Sequence, residues 1–191
     1  MGVRRHGSWG RARASLSGGG ARMRRAIDVA VLQEAHLLRR EIVEGLRKGS
    51  KNFEPLSPLT LAARRLAGFR GSKALIRTGE LRNSISVVKR PGKVFVGVPR
   101  KSGERLVRVA EIQEFGTQPF IIPITPKMRR YLAVLFKEAG IQRRGGGGGG
   151  AGVVVVQIPA RPFLRSAWMR WQDGKPEKRI QKTVARAMGW R

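Results

Sequence analysis

The chain has 191 residues, with 40 Lys and Arg against 12 Asp and Glu, a net charge of +28, and no cysteine. That length suits one domain with or without tails and buries a core without covalent staples. The missing cysteine excludes disulfides, thiolate metal sites and cysteine nucleophiles. The charge calls for an anionic surrounding, which means nucleic acid, an acidic protein face or an anionic membrane. Duplex DNA is the densest of these, at one negative charge per about 1.7 Å of axis. No apolar run approaches the roughly 20 residues that span a bilayer, and no apolar stretch follows the basic N-terminus as in a secretory signal.

The first segment, residues 1–20, is Gly-, Ser- and Arg-rich, and no acidic residue precedes Asp28. It reads as a basic flexible tail that orders only against phosphate or a partner. Arg4, Arg5, Arg11 and Arg13 in it, with Arg22, Arg24 and Arg25 just beyond, are the candidate contacts to phosphate or an acidic partner. A long amphipathic helix follows, with Ile27, Val31, Leu38, Ile42 and Leu46 as its apolar stripe and Ala30 and Ala35 beside it. Glu34, Arg40 and Glu44 read as its polar side, and Gly49 as its stop.

Ser57, Pro58 and Gly68 punctuate a second helix as N-cap, first-turn residue and stop. Thr78 is placed to cap a short turn through Leu81. Ile85 and Val87 then alternate with serines, "RPGK" forms a turn, and Val94, Val96 and Val98 alternate on a returning strand, which together predict a β-hairpin. "ERLVRVAEIQEFGT" predicts a helix ended by Gly116, and "QPFIIPI" an extended segment. Thr125 and Pro126 open another helix running to about Ala139. Gly145 to Gly150 read as a flexible loop, and "VVVVQI" as a strand buried on both faces. "RPFLRSAWMRW" and "PEKRIQKTVARAM" read as helices.

This order predicts an α+β fold: a mostly antiparallel sheet packed against the long N-terminal helix and further helices, with extended basic termini. The domain proper spans residues 21–171, and residues 172–191 form a basic helical extension.

Chemistry-bearing residues are sparse. His6 and His36 stand apart from any metal-ligand spacing, and Glu80, Glu104, Glu111 and Glu114 have no nucleophile pattern beside them. "GFRGSKA" does not follow a strand and has the wrong order for a phosphate loop. The expectation is therefore a protein without catalytic residues, cofactor or metal. Trp9, Trp168, Trp171 and Trp190 lie near arginines, where they either stack bases or, the favoured reading, anchor an interface or a helix. No base-reading signature accompanies the charge, so it implies backbone attraction.

Four stretches, "PLSPLTLAARR", "ALIRTGELRNSI", "AEIQEFGT" and "IPARPFLRSAW", occur in that order across residues 55–168. In this order they resemble the phage virion morphogenesis family of Mu-like tail completion proteins, related to head–tail joining and minor tail proteins. The Ile-Pro-Ala-Arg-Pro-Phe-Leu element is complete here, whereas Gln113-Glu114-Phe115-Gly116 stands where Mu-like members often have His-Gln-Phe-Gly. The residues outside the resemblance are the N-terminal tail, the glycine run and the last twenty residues.

The resemblance implies a structural virion protein at the neck or tail end, forming a ring without enzymatic activity. Hexamers are favoured and dodecamers are the other possibility. The implied neighbours are connector or stopper, tail terminator and tail tube proteins, with duplex DNA in the channel as a further candidate partner and no membrane, and the implied location is the virion after assembly in the host cytoplasm. Two alternatives remain: a sequence-nonspecific nucleic-acid-binding protein, and a scaffold or chaperone absent from the finished particle.

Leu81, Ile85, Phe115, Phe163 and Leu164 are expected in the core or defining the fold, and Gly79 and Gly116 in turns. Pro159, Arg161 and Pro162, with φ fixed at both prolines, are expected to hold the last strand and the C-terminal helix at a set angle. An ordinary strand-to-helix connection is the competing account of those three.

Overall fold

The computed structural model describes residues 9–49, 53–141 and 152–189, and shows an α+β fold. Its axis is α1 (Trp9–Lys48), 40 residues and therefore about 60 Å long. The helix begins at Trp9, so residues 9–20, expected as flexible tail, have helical backbone.

The buried line along α1 runs Ala26, Ala30, Glu34, Leu38, Ile42, Leu46. Steps of four residues overshoot a 3.6-residue turn by about 40° each, so the line winds around the helix. Different partners cover it along its length. Helix α7 (Pro176–Met188) covers the Ala26 and Ala30 end, and small residues there let the helices approach closely around Val184. Helix α6 (Phe163–Asp173) covers the middle. Ile27, expected in the stripe, is 39% exposed because the winding carries it past α7.

The main core joins Leu38, Ile42 and Leu46 of α1 to Leu81, Ile85, Ala110, Phe163 and Ala167. Leu81 belongs to α3 (Glu80–Ser84), Ala110 to α4 (Glu104–Phe115), and Phe163 and Ala167 share one face of α6. Val96, Val98, Leu164 and Trp171 pack against this cluster half-buried. Between α3 and α4 stands a hairpin of β1 (Ser86–Arg90) and β2 (Lys93–Gly97), paired Arg90 to Lys93 across Pro91-Gly92. Gly92 takes φ 69 at the second central position, a conformation that glycine adopts without strain. Arg39 Nε pins this region to α1 by donating to Ile85 O at 2.8 Å.

The remaining elements form a second layer. Helix α2 (Pro58–Leu66) packs on α5 (Pro126–Glu138), and Arg65 Nε meets Glu138 Oε1 at 2.7 Å. Both helices open as their sequences predict: Ser57 Oγ accepts from Thr60 N and Thr125 Oγ1 from Met128 N, each at 3.2 Å, with proline in the first turn. Strands β3 (Phe120–Pro123) and β4 (Val153–Val156) pair antiparallel, apart from the first hairpin. The antiparallel strands thus form two separate ribbons. Strand β4, expected buried on both faces, has Val153 and Val155 61% and 62% exposed, because a two-stranded ribbon here is covered on one face only. Helix α7 packs along α1 instead of extending away from the domain.

No helix among the described residues is long and apolar enough to cross a membrane.

Candidate interaction site

The four stretches singled out in the sequence meet at one place. Arg161 links three of them. Its N–H donates to Gln113 O at 2.6 Å, its Nε to Glu54 O at 2.9 Å and its Nη2 to Pro55 O at 3.4 Å, across up to 107 positions of sequence. Arg161 is only 6% exposed. A guanidinium presents donors in a planar fork, so one side chain holds two successive carbonyls of an irregular segment.

Glu114 makes the second link. Pro162 at the start of α6 offers no side-chain cap. The buried Glu114 carboxylate, at the end of α4, accepts instead from Leu164 N and Arg165 N at 2.9 Å each. A carboxylate here satisfies two orphan N–H groups and lies at the positive end of the helix dipole.

Gly116 completes the junction. It sits at φ 75, ψ −172, a region essentially reserved to glycine. A Cβ there would lie 2.9 Å from both Ala160 N and Ile158 O. Thr117 N donates to Ile158 O at 2.9 Å, and Ile158 N donates back to Thr117 Oγ1 at 3.0 Å. The Ile-Pro-Ala-Arg-Pro-Phe-Leu segment is thus clamped along its length, from Ile158 on Thr117 to Phe163, 2% exposed, in the core. Pro159 and Pro162 suit this path because neither needs to donate an N–H there. Gly79 takes φ 84 at the start of α3, where Glu80 N–H reaches Thr78 Oγ1 at 3.5 Å.

Phe115 departs from expectation. It is 79% exposed, because the last turn of α4 directs Glu114, not Phe115, toward α6. Glu34, expected on the polar side of α1, is 5% exposed. It accepts from Trp171 Nε1 at 3.0 Å, Arg179 Nε at 2.8 Å and Arg179 Nη2 at 2.6 Å. These bonds, that from Arg179 foremost, hold its carboxyl below the ordinary glutamate range against the opposing effect of burial. Arg179 is raised correspondingly, chiefly by Glu34. Arg179 also donates to Gly174 O, fastening the turn between α6 and α7 where Lys175 sits at φ 52. The Glu34-to-Arg179 spacing of 145 positions carries no sequence signal. Trp171 therefore anchors a helix, while Trp168, with its ring 4.7 Å from that of Trp171, stays 44% exposed.

Of the arginines read as anion contacts, Arg22, Arg24 and Arg25 are exposed on α1 and Arg11 and Arg13 fall in its first turns. Arg4, Arg5 and the glycine run lie outside the described residues.

Beside the junction lies a cavity of about 850 Å³. Arg64, Arg77, Arg105 and Arg161 reach it, against Glu54 and Glu80. Arg105 pairs with Glu80. Arg64 Nη1 donates to the carbonyls of Gly71, Lys73 and Ile76 at 3.2, 2.7 and 3.3 Å, and Arg77 lies over the Phe69 ring at 5.2 Å. Burial first, then the neighbouring charges of Arg77 and Arg161, push Arg64 below its ordinary value. Among the described residues no carboxylate makes an ion pair with Arg64, Arg77 or Arg161. The arrangement can hold anions; no group of three or more His, Cys, Asp or Glu among the described residues is placed to hold a metal.

No protein-family model, curated protein or solved structure matches this chain.

Proposed function

We propose that this chain is a structural protein of a tailed-phage virion, forming a ring at the neck or tail end that joins head to tail around the DNA channel. The observation that carries the reading is the convergence of three of the four family-like stretches on Arg161, Glu114 and Gly116, with the remaining one joined to them in the core through Leu81 and Ile85. Residues that resemble a family in order are here used together, and their use is architectural: they fix the angle between α4, the last strand and α6. A closed ring requires each subunit to present two edges at a constant angle. A buried, hydrogen-bonded junction supplies that constancy. The charge of +28 suits a position beside DNA or acidic neighbouring rings. The reading assigns the chain no chemical step.

Electron microscopy and mass spectrometry of purified particles test it. The expected result is a ring of fixed copy number, six before twelve, at the head–tail junction or tail end. Absence from every particle overturns it and leaves the scaffold or chaperone alternative.

The exposed Arg22, Arg24 and Arg25 favour one second reading, a nonspecific nucleic-acid-binding protein. It requires the lone chain to bind duplex DNA tightly, with affinity falling steeply as salt rises. The ring reading requires weak binding until assembly.

A further inference from the structure

The cavity beside the junction has an unused strand edge as one wall. Six consecutive residues, Val154 through Pro159, line it, and no residue of β3 does. A strand that shows only a face to a cavity lines it with alternate residues, whereas consecutive lining means that the backbone edge faces it.

The hydrogen bonds say which groups are on that edge. Gly152 O accepts from Ile124 N at 2.8 Å, and Ile158 exchanges both its bonds with Thr117. With the register Ile122 to Val154 and Phe120 to Val156, residues 152, 154, 156 and 158 turn their N–H and C=O toward β3. Val153, Val155 and Gln157 therefore turn theirs away from it, where β4 has no second neighbour among the described residues.

We propose that this edge is a docking site for an extended, acidic segment of a partner protein, which adds to β4 as a third strand and sets its carboxylates against Arg64 and Arg77. Main-chain pairing supplies the affinity in such strand addition, and flanking side chains supply the selectivity. Arg64 is already oriented by backbone carbonyls and keeps its positive charge unmatched. Five residues, 153–157, offer about 16 Å of edge, at about 3.3 Å per residue. Residues 1–27 and 178–191 of a second copy do not fit as the occupant. Residues 1–27 contain no Asp or Glu, and the last residues from Lys178 contain none either. Docking either end would bring arginines onto arginines.

This inference rests on the reading of an assembly protein with acidic neighbours and names the chemistry of one of them. Its test uses the full chain and a soluble peptide, so it fails or succeeds independently of any ring count. The probe is a fluorescent six-residue peptide of alternating Val and Glu, compared with alternating Val and Lys. The acidic peptide is expected to bind and the basic one not. In hydrogen exchange, the amides of Val155 and Gln157 are expected to gain protection with the peptide present. Val155→Pro removes only an outward N–H and is expected to weaken binding about tenfold, with native melting retained. Arg77→Gln is expected to weaken it about threefold and to flatten its salt dependence.

Two results overturn the proposal. One is acidic-peptide binding that leaves both outward amides unprotected in the wild-type chain, whatever Val155→Pro does. The other is failure of the acidic peptide while a short DNA duplex protects those amides, which assigns the cavity to phosphate.

Discussion

The two layers of this molecule treat apolar surface differently. Around α1 one cluster of large side chains is sealed: Ile42, Leu46, Ile85 and Phe163 are each at most 2% exposed, while Ile27, Phe115 and Trp168 lie bare at its margin. In the layer of α2, α5 and the β3–β4 ribbon, Leu66, Ile121, Tyr131, Val134, Val153 and Val155 are all 44% exposed or more. The first layer is held by its own packing. The second packs α2 on α5 around Ala62 and Leu135 and leaves alternate strand positions bare. Ile121 pairs with Val155 and Pro123 with Val153, so these four share one face of the ribbon. One layer encloses its large apolar side chains, and the other leaves a row of them on its surface.

Four substitutions test that division. Phe163→Ala has the largest expected effect, about 3–5 kcal/mol, because it empties a fully enclosed site. Unchanged thermal unfolding would remove Phe163 from the sealed layer. Gly116→Ala follows at about 3 kcal/mol, from a backbone conformation closed to alanine and a Cβ pressed against Ala160 N and Ile158 O. Denaturant unfolding measures it, and a loss well below 1 kcal/mol would mean that the junction yields easily.

Glu34→Gln should cost about 2 kcal/mol at neutral pH, since it leaves the half-exposed Arg179 and the Trp171 N–H with a weaker acceptor. The sign of its pH dependence follows from the lowered carboxyl. In the wild type its stabilising contribution is present above the ordinary glutamate range and is lost as pH falls through the depressed folded value. Melting temperature plotted from pH 6 to pH 2 should therefore converge for the two proteins in acid. Parallel curves would show that the clasp is not electrostatic. Ile121→Ser should be the mildest, within about 0.5 kcal/mol in the lone chain. A loss approaching that of Phe163→Ala would erase the distinction between the layers.

Legibility in the sequence followed the range of the interaction. The helix starts at Pro58 and Pro126, the turn at Pro91-Gly92 and the α+β class were readable because their causes lie within a few residues. The motif glycines were readable too, since glycine at a helix end has a narrow set of local reasons. The start of α1 was misread, as its Gly, Ser and Arg composition has no apolar period although its backbone is helical from Trp9. Phe115 was assigned inward by type, and Glu114 was weighed only as a catalytic carboxylate without a nucleophile beside it. The structure exposes Phe115 and buries Glu114, because a helix start without its own cap was one packing distance away. Arg161 was noticed as part of a motif, but what it holds was not visible, since its partners are carbonyls of a segment of no special composition.

By itself, then, the sequence determined the punctuation of the chain, its apolar periods and its excess of positive charge, all of them properties of neighbouring residues or of simple sums. The tertiary structure alone decided which glutamates are buried, which apolar residues are left bare and which strand edge stays open. Those outcomes depend on groups brought together from 50 to 145 positions apart, and no local pattern specifies which distant N–H or guanidinium will arrive to match a buried carboxylate.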